Sequence, residues 1–159
     1  MAEVSAESLT IGSDAFRDNS VIPPRYTADG DDISPPLEWE HPPKNTREFA
    51  LIVDDPDAPS PSPWVHWIVY GIPARMRELP DGISVDRTGL KQGQNSWRTV
   101  GYRGPNPPPG RMHHYRFTLY ALDMKLELLE AATVEEVMNA MQGHILDRQI
   151  LVGTYGRKG

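Results

Sequence analysis

Four prolines crowd into residues 55–63, directly behind the apolar run Ala50-Leu51-Ile52-Val53. Proline has no N–H to give a sheet and holds φ fixed, so this segment must leave any sheet that the preceding residues enter. The apolar run is not alternating, so residues 47–54 read as a strand covered on both faces. The next strand is residues 64–72. With a side-chain period of two, Val65, Trp67 and Val69 are expected on one face and His66, Ile68 and Tyr70 on the other. A third strand covers residues 115–122 with Tyr115, Phe117, Leu119 and Ala121 facing one way, and His113 extends that face.

Weaker signals fill the remainder. Leu9-Thr10-Ile11 begins a short strand, and Phe16 and Ile22 are expected to pack beneath the loop that follows. Residues 26–39, with Gly30, Pro35 and Pro36 among several aspartates, read as an ordered loop, and residues 73–112 read mostly as loop. Thr133 followed by Glu136 is a capping-box pattern. Val134, Val137, Met138 and Met141 then fall at helical spacing, with Gly143 as either a stop or an interior glycine. Residues 150–155 return as a final strand. Sixteen Pro and thirteen Gly, about a fifth of the 159 residues, fit a β-rich protein with many loops. One domain is expected over 1–159, with its core at about 9–157. The fold class this implies is a mostly β sandwich or barrel with one or two peripheral helices near the C-terminus.

Charge and composition narrow the function. A formal charge of -6 disfavours general affinity for nucleic acid, whose binding depends on Lys and Arg neutralising phosphates, although it leaves room for a local positive site. The apolar stretches are strand-sized, short of the roughly 18 residues of a membrane-spanning helix. No cysteine is present, which removes disulfides, thiolate nucleophiles and Cys-ligated zinc. The start Met1-Ala2-Glu3-Val4 is acidic and lacks an apolar signal core, so a cytoplasmic location is expected.

Unusual polar residues gather at strand ends. Asp54, Asp55 and Asp57 surround Pro56; His66 lies one residue inside the second strand; His113 and His114 open the third behind Gly104-Pro105-Asn106-Pro107-Pro108-Pro109-Gly110. Taken singly, each has a plain structural reading: turn-capping aspartates, a hydrogen-bonded core histidine, a stiffened loop. Taken together, polar groups at the ends of adjacent core strands can converge on one cleft.

The ordered pattern resembles the phosphatidylethanolamine-binding protein family. Asp55-Pro56-Asp57-Ala58-Pro59 with Trp64-Val65-His66 is similar to its first signature. Gly101-Tyr102-Arg103-Gly104-Pro105-Asn106-Pro107-Pro108 with His113-His114-Tyr115 is similar to its second. Tyr26-Thr27-Ala28-Asp29-Gly30, Ile33-Ser34-Pro35-Pro36-Leu37, Asn95-Ser96-Trp97, Gly143-His144-Ile145-Leu146 and Gly153-Thr154-Tyr155 resemble marks of the bacterial and archaeal, Raf-kinase-inhibitor-like branch. The resemblance spans residues 9–157. It implies an antiparallel Greek-key β-sandwich and a pocket for phosphate-like anions built from Asp55, His66, Gly104, Pro105, His113 and Tyr115, its wall shaped by Asp57, Pro59 and Trp64.

Donors for such an anion are expected from the imidazoles, the Tyr115 hydroxyl and the Gly104 backbone N–H. Asp55 is expected to orient a histidine or receive an ammonium group, and histidine protonation below neutrality to strengthen capture. His113-His114-Tyr115 stands where the family usually has His-Arg-Tyr, and Asn106 where the bacterial branch has Cys. The resemblance implies phosphate or a phospholipid headgroup as ligand, a regulatory or inhibitor role toward a kinase or other enzyme, and a homodimer. It implies no cofactor. The competing reading is a hydrolase or other acid–base enzyme using Asp55, His66 and His113, or a metal held by those three. Against it, Gly-x-Ser-x-Gly and His-Glu-x-x-His are missing, and His66 and His113 lie 47 positions apart. No catalytic or metal-ligating residue is therefore assigned.

Overall fold

The computed structural model describes residues 8–158; the reading of the first four residues lies outside them. Among the described residues the strands are β1 (Thr10–Gly12), β2 (Ser20–Val21), β3 (Leu37–Glu40), β4 (Glu48–Asp55), β5 (Trp64–Pro73), β6 (Glu78–Leu79), β7 (Lys91–Gln92), β8 (His113–Leu122) and β9 (Ile145–Tyr155), with a single turn of 3-10 helix at Pro24–Tyr26 and one α-helix, α1 (Val134–Met141), before the last strand. They form a six-stranded sheet in the order β2-β9-β8-β4-β5-β7 and a three-stranded sheet in the order β1-β3-β6. Within the larger sheet β8-β4-β5-β7 has the spatial order of a Greek key, the long return from β7 bringing β8 alongside β4. All pairings are antiparallel except β2 with β9, which is parallel.

The two sheets enclose the main core. Phe49, Leu51 and Val53 of β4, Trp67 and Val69 of β5, and Tyr115, Phe117 and Leu119 of β8 meet Leu37, Trp39 and Leu79 of the smaller sheet. Phe16 and Ile22 close one edge of this core, Phe16 against Phe117 at 5.5 Å between ring centroids. A second core lies on the other face, where Ala50, Ile52, Val65, Ile68 and Tyr70 are covered by Val137 and Met141 of α1 and by Leu126 and Ala132. β4 is thus buried on both sides, which is why its apolar run does not alternate.

The helix begins as its sequence dictates. The Thr133 side chain accepts from the Glu136 N–H, and the Glu136 carboxylate accepts from the Thr133 N–H, so two orphan donors are satisfied reciprocally. It ends at Gln142, with Gly143 at φ 82° just beyond.

Residues 73–112 are mostly loop as expected, interrupted by the two-residue strands β6 and β7. Three expectations change. Residues 26–39 are not all loop, since Leu37 opens β3. The final strand starts at Ile145 rather than residue 150, because residues 145–150 pair with β8 through their backbone while their side chains stay largely exposed and carry no apolar alternation.

The third correction matters most. β4 and β5 lose register between Val53↔Trp67 and Asp54↔Val65, so His66 has no partner opposite it and sits in a β-bulge. Val65 then belongs with Ile68 and Tyr70, not with Trp67 and Val69. His66 is brought round to the side of the sheet that carries Tyr115, its ring 5.2 Å from the Tyr115 ring. A strict period of two would have turned it to the opposite face.

Candidate functional site

On the face of the large sheet that looks into the sandwich, the apolar rows of β4 and β8 end in polar residues. Phe49, Leu51 and Val53 are followed by Asp55; Leu119, Phe117 and Tyr115 are preceded by His113. The bulged His66 joins them from β5. Asp55, His66, His113 and Tyr115 form the floor of a cleft of about 280 Å³. Ala58, Pro59 and Ser60 make one wall, Asn106, Pro107 and Pro108 a second, and Trp64 and Trp97 a third.

The floor is tightly wired. Asp55 and His113, each 4% exposed in its side chain, are 2.6 Å apart through Oδ2 and Nδ1. The other Asp55 oxygen accepts from the Asp57 N–H at 2.8 Å, closing the turn at Pro56. His66 donates from Nδ1 to the Arg103 carbonyl at 2.6 Å, while the Arg103 N–H returns a bond to the His66 carbonyl at 3.1 Å. Burial lowers the pKa of His66 below the ordinary imidazole value, against the raising effects of the Arg103 carbonyl and of Asp55. The Tyr115 phenol is raised far above its usual range, first by burial and then by the Asp55 charge, so it stays protonated and able to donate. Rings pack edge to face in sequence: Trp64 on Trp97 at 5.5 Å, Trp97 on His66 at 5.0 Å, His66 on Tyr115 at 5.2 Å.

The lowered His66 value makes folding sensitive to acid. An unfolded chain protonates this residue near pH ~6.5, the folded chain only at lower pH, so the unfolded state binds more protons in between. The contribution is complete above that window and is lost as pH falls through it. The stability advantage of the native protein over His66→Gln, measured by urea denaturation, should shrink from pH 7.5 to pH 5. A constant advantage would contradict it.

Six of the nine residues expected at the site border the cleft: Asp55, Pro59, Trp64, His66, His113 and Tyr115. Asp57, Gly104 and Pro105 do not. Asp57 acts behind the wall, where Oδ2 takes both the backbone N–H and Nδ1 of His114 at 2.8 Å. Burial would raise its pKa, but the two His114 bonds hold it below the usual carboxylate range. The Gly104 N–H, expected to serve an anion, is instead donated to Asp32 Oδ1 at 2.7 Å. A side chain there would place its Cβ 2.2 Å from the Tyr26 carbonyl, so glycine allows the 104–108 segment to lie on the 26–32 loop rather than on a ligand. The Pro105 carbonyl accepts from Ala28 N–H in the same packing.

Trp97 is a wall residue that the site assignment left out. Its loop is folded by buried Asn95, whose Oδ1 accepts from the N–H groups of Trp97 and Thr99 and whose Nδ2 donates to the Gly101 carbonyl. Ser96 pins the loop to β5 by exchanging bonds with the Val65 backbone, 2.8 Å in each direction. The Arg103 guanidinium lies over the Trp97 ring at 5.4 Å. At the far wall, Arg157 donates to the Pro107 carbonyl and to Asp29, which also accepts from Tyr155. Among the described residues no group of three or more His, Asp or Glu is placed to hold a metal ion. No helix among them is long and apolar enough to cross a membrane.

The same architecture and sequence pattern occur elsewhere. The family model described as "Phosphatidylethanolamine-binding protein" matches residues 12–156. The "UPF0098 protein" of Methanothermobacter thermautotrophicus is 45% identical over 152 residues, covering 94% of this chain and 99% of its own. Among solved structures, the phosphatidylethanolamine-binding protein homolog CT736 of Chlamydia trachomatis is 36% identical with a TM-score of 0.88, covering 95% of this chain and 99% of its own. YbcL of E. coli, described as a new member of the mammalian PEBP family, is 28% identical with a TM-score of 0.88, covering 94% and 99%. The chain belongs to the phosphatidylethanolamine-binding protein family.

Proposed function

We propose that this protein captures a small oxyanion, the phosphoryl group of a phospholipid headgroup or of a related phosphate, in the cleft floored by Asp55, His66, His113 and Tyr115. Occupancy of the cleft then regulates contact with a protein partner such as a kinase. The observation that supports this best is convergence: two consecutive strands and a third about forty residues further on deliver four polar side chains to one hollow whose walls are aromatic and proline-rich. Such a hollow has few polar groups, fixed in place, inside an apolar rim, which is what a site for a small charged head on an apolar body requires. The Tyr115 hydroxyl supplies a donor at every physiological pH. The rim is pre-formed by prolines and by buried Asn95, so little ordering cost falls on binding.

Inorganic phosphate and phosphoethanolamine should each raise the melting temperature, by the equivalent of roughly 2.7 kcal/mol at a hundredfold excess over Kd. Tyr115→Phe, which keeps the ring packing and removes the donor, should lose most of that shift. A melting curve that neither ligand moves in the native protein would sink the proposal.

A further inference from the structure

The hydrogen-bonding state of His66 determines what form of ligand the cleft can accept. A carbonyl oxygen can only accept, so the 2.6 Å contact with Arg103 places a proton on Nδ1 of His66. Among the described residues no buried side-chain nitrogen or oxygen lacks a partner; the only hydrogen bond of the His66 ring is from Nδ1 to Arg103, so Nε2 is not sealed in the core and faces the cleft that the ring borders. A neutral ring protonated on Nδ1 presents a lone pair at Nε2, an acceptor rather than a donor.

Charged and titratable groups approach the ring from several elements; His113 shares the cleft floor with its Nδ1 on Asp55, and the Arg103 guanidinium lies over the Trp97 ring that packs against His66. Asp55 at the end of β4 favours a charged ring, but its oxygens are already taken by His113 and by the Asp57 N–H. Asp54 acts in the same sense, though it is paired with Arg116 through two bonds of 2.8 and 3.0 Å. Asp32, below Gly104, is the third carboxylate, and it accepts the Gly104 N–H. From β8 the ring meets neutral Tyr115, and from the 95–101 loop it meets Trp97. Burial outweighs these carboxylates and favours the neutral imidazole.

We infer that the cleft takes its ligand in a form that carries its own acidic proton, a singly protonated phosphoryl group or an undissociated carboxylic acid, whose O–H donates to Nε2 of His66 while another of its oxygens accepts from Tyr115. A fully ionised group would set a negative oxygen against the Nε2 lone pair. The proton stays on the ligand and no bond is made or broken. This rests on the oxyanion reading above and narrows it to phosphomonoesters and other groups that keep an O–H, since a phosphodiester headgroup has no acidic proton to give.

Three probes of similar shape separate the proton from the charge: methyl phosphate, which gives up its second proton near pH ~6, methanesulfonate, singly charged without an O–H, and sulfate, doubly charged without one. Binding would be titrated from pH 5 to pH 8 while the histidine ring nitrogens are followed by NMR. At pH 5.5 methyl phosphate is expected to bind at least tenfold more tightly than either of the others. Its affinity should fall about tenfold per pH unit above pH 7, and His66 should remain neutral with its proton on Nδ1 in the complex. His66→Gln, whose amide can turn either its oxygen or its N–H to the cleft, should narrow the tenfold gap to less than threefold. Binding of methanesulfonate or sulfate as tight as that of methyl phosphate, or conversion of His66 to imidazolium on binding, overturns the inference and leaves the oxyanion site standing. If none of the three binds at any pH, the site and the inference fall together.

Discussion

Replacing Asp55 with alanine is expected to destabilise the fold by about 3–5 kcal/mol, the cost of leaving one member of a buried charged or hydrogen-bonded pair without its partner. Asp55 and His113 are both almost completely enclosed and are joined at 2.6 Å. The same carboxylate also closes the Pro56 turn through the Asp57 N–H. In a domain of this size, each kcal/mol moves Tm by about 2–4 °C, so the loss is visible in a melting curve. Asp55→Asn keeps an acceptor for one of the two N–H groups and turns an NH2 to the other, so it should cost less than Asp55→Ala without restoring the native stability. His113→Ala added to Asp55→Ala should cost far less than His113→Ala alone, because the partner is already gone; strictly additive effects would show that the pair is not coupled. The pair is thus a support of the fold as well as part of the cleft floor.

Gly104→Ala is the second large effect. The added Cβ would lie 2.2 Å from the Tyr26 carbonyl and 2.9 Å from the Thr27 Cα, both backbone atoms that no side-chain rotation can move away. The 26–32 loop and the 104–108 segment must part, which breaks the Gly104–Asp32 bond and shifts the wall formed by Asn106, Pro107 and Pro108. About 3 kcal/mol of destabilisation is expected, together with weaker phosphate binding. Gly110→Ala is the control. Its φ of 102° is strained for alanine, but nothing lies within 4 Å of the new methyl, so it should cost about 1–2 kcal/mol and leave binding almost unchanged. Equal urea midpoints for the two variants would contradict the packing role of Gly104.

The contrast between these glycines shows what could be read in the sequence and what could not. The strand that contains Tyr115 was legible, because the row Tyr115, Phe117, Leu119 and Ala121, extended by His113, stands out at period two. The doubly covered β4 and the capped helix were legible for similar reasons, each being written in residues a few positions apart. The role of Gly104 was not, since its neighbours, Tyr26 and Asp32, lie more than seventy positions away. Nor was the turning of His66 to the cleft. Val65 and Trp67 are both apolar and both buried, so neither residue reveals which face it occupies, and a one-residue slip between β4 and β5 leaves no mark in either strand alone. Trp97 was visible only as part of a motif. Its loop has no periodicity, and its position depends on bonds from Asn95 and Ser96 that become apparent once Val65 is in place.

A phosphate is expected to enter the cleft between His66 and His113 and no other part of the surface. The chain has five histidines, and only these two border the cleft, while His41 and His144 lie outside it. Titration of inorganic phosphate into the native protein, followed through the ring resonances of all five, is the most direct measurement. The His66 and His113 signals should move together along one saturating curve, with His41 and His144 unchanged. Saturation seen at His41 or His144 with His66 and His113 still would contradict the account.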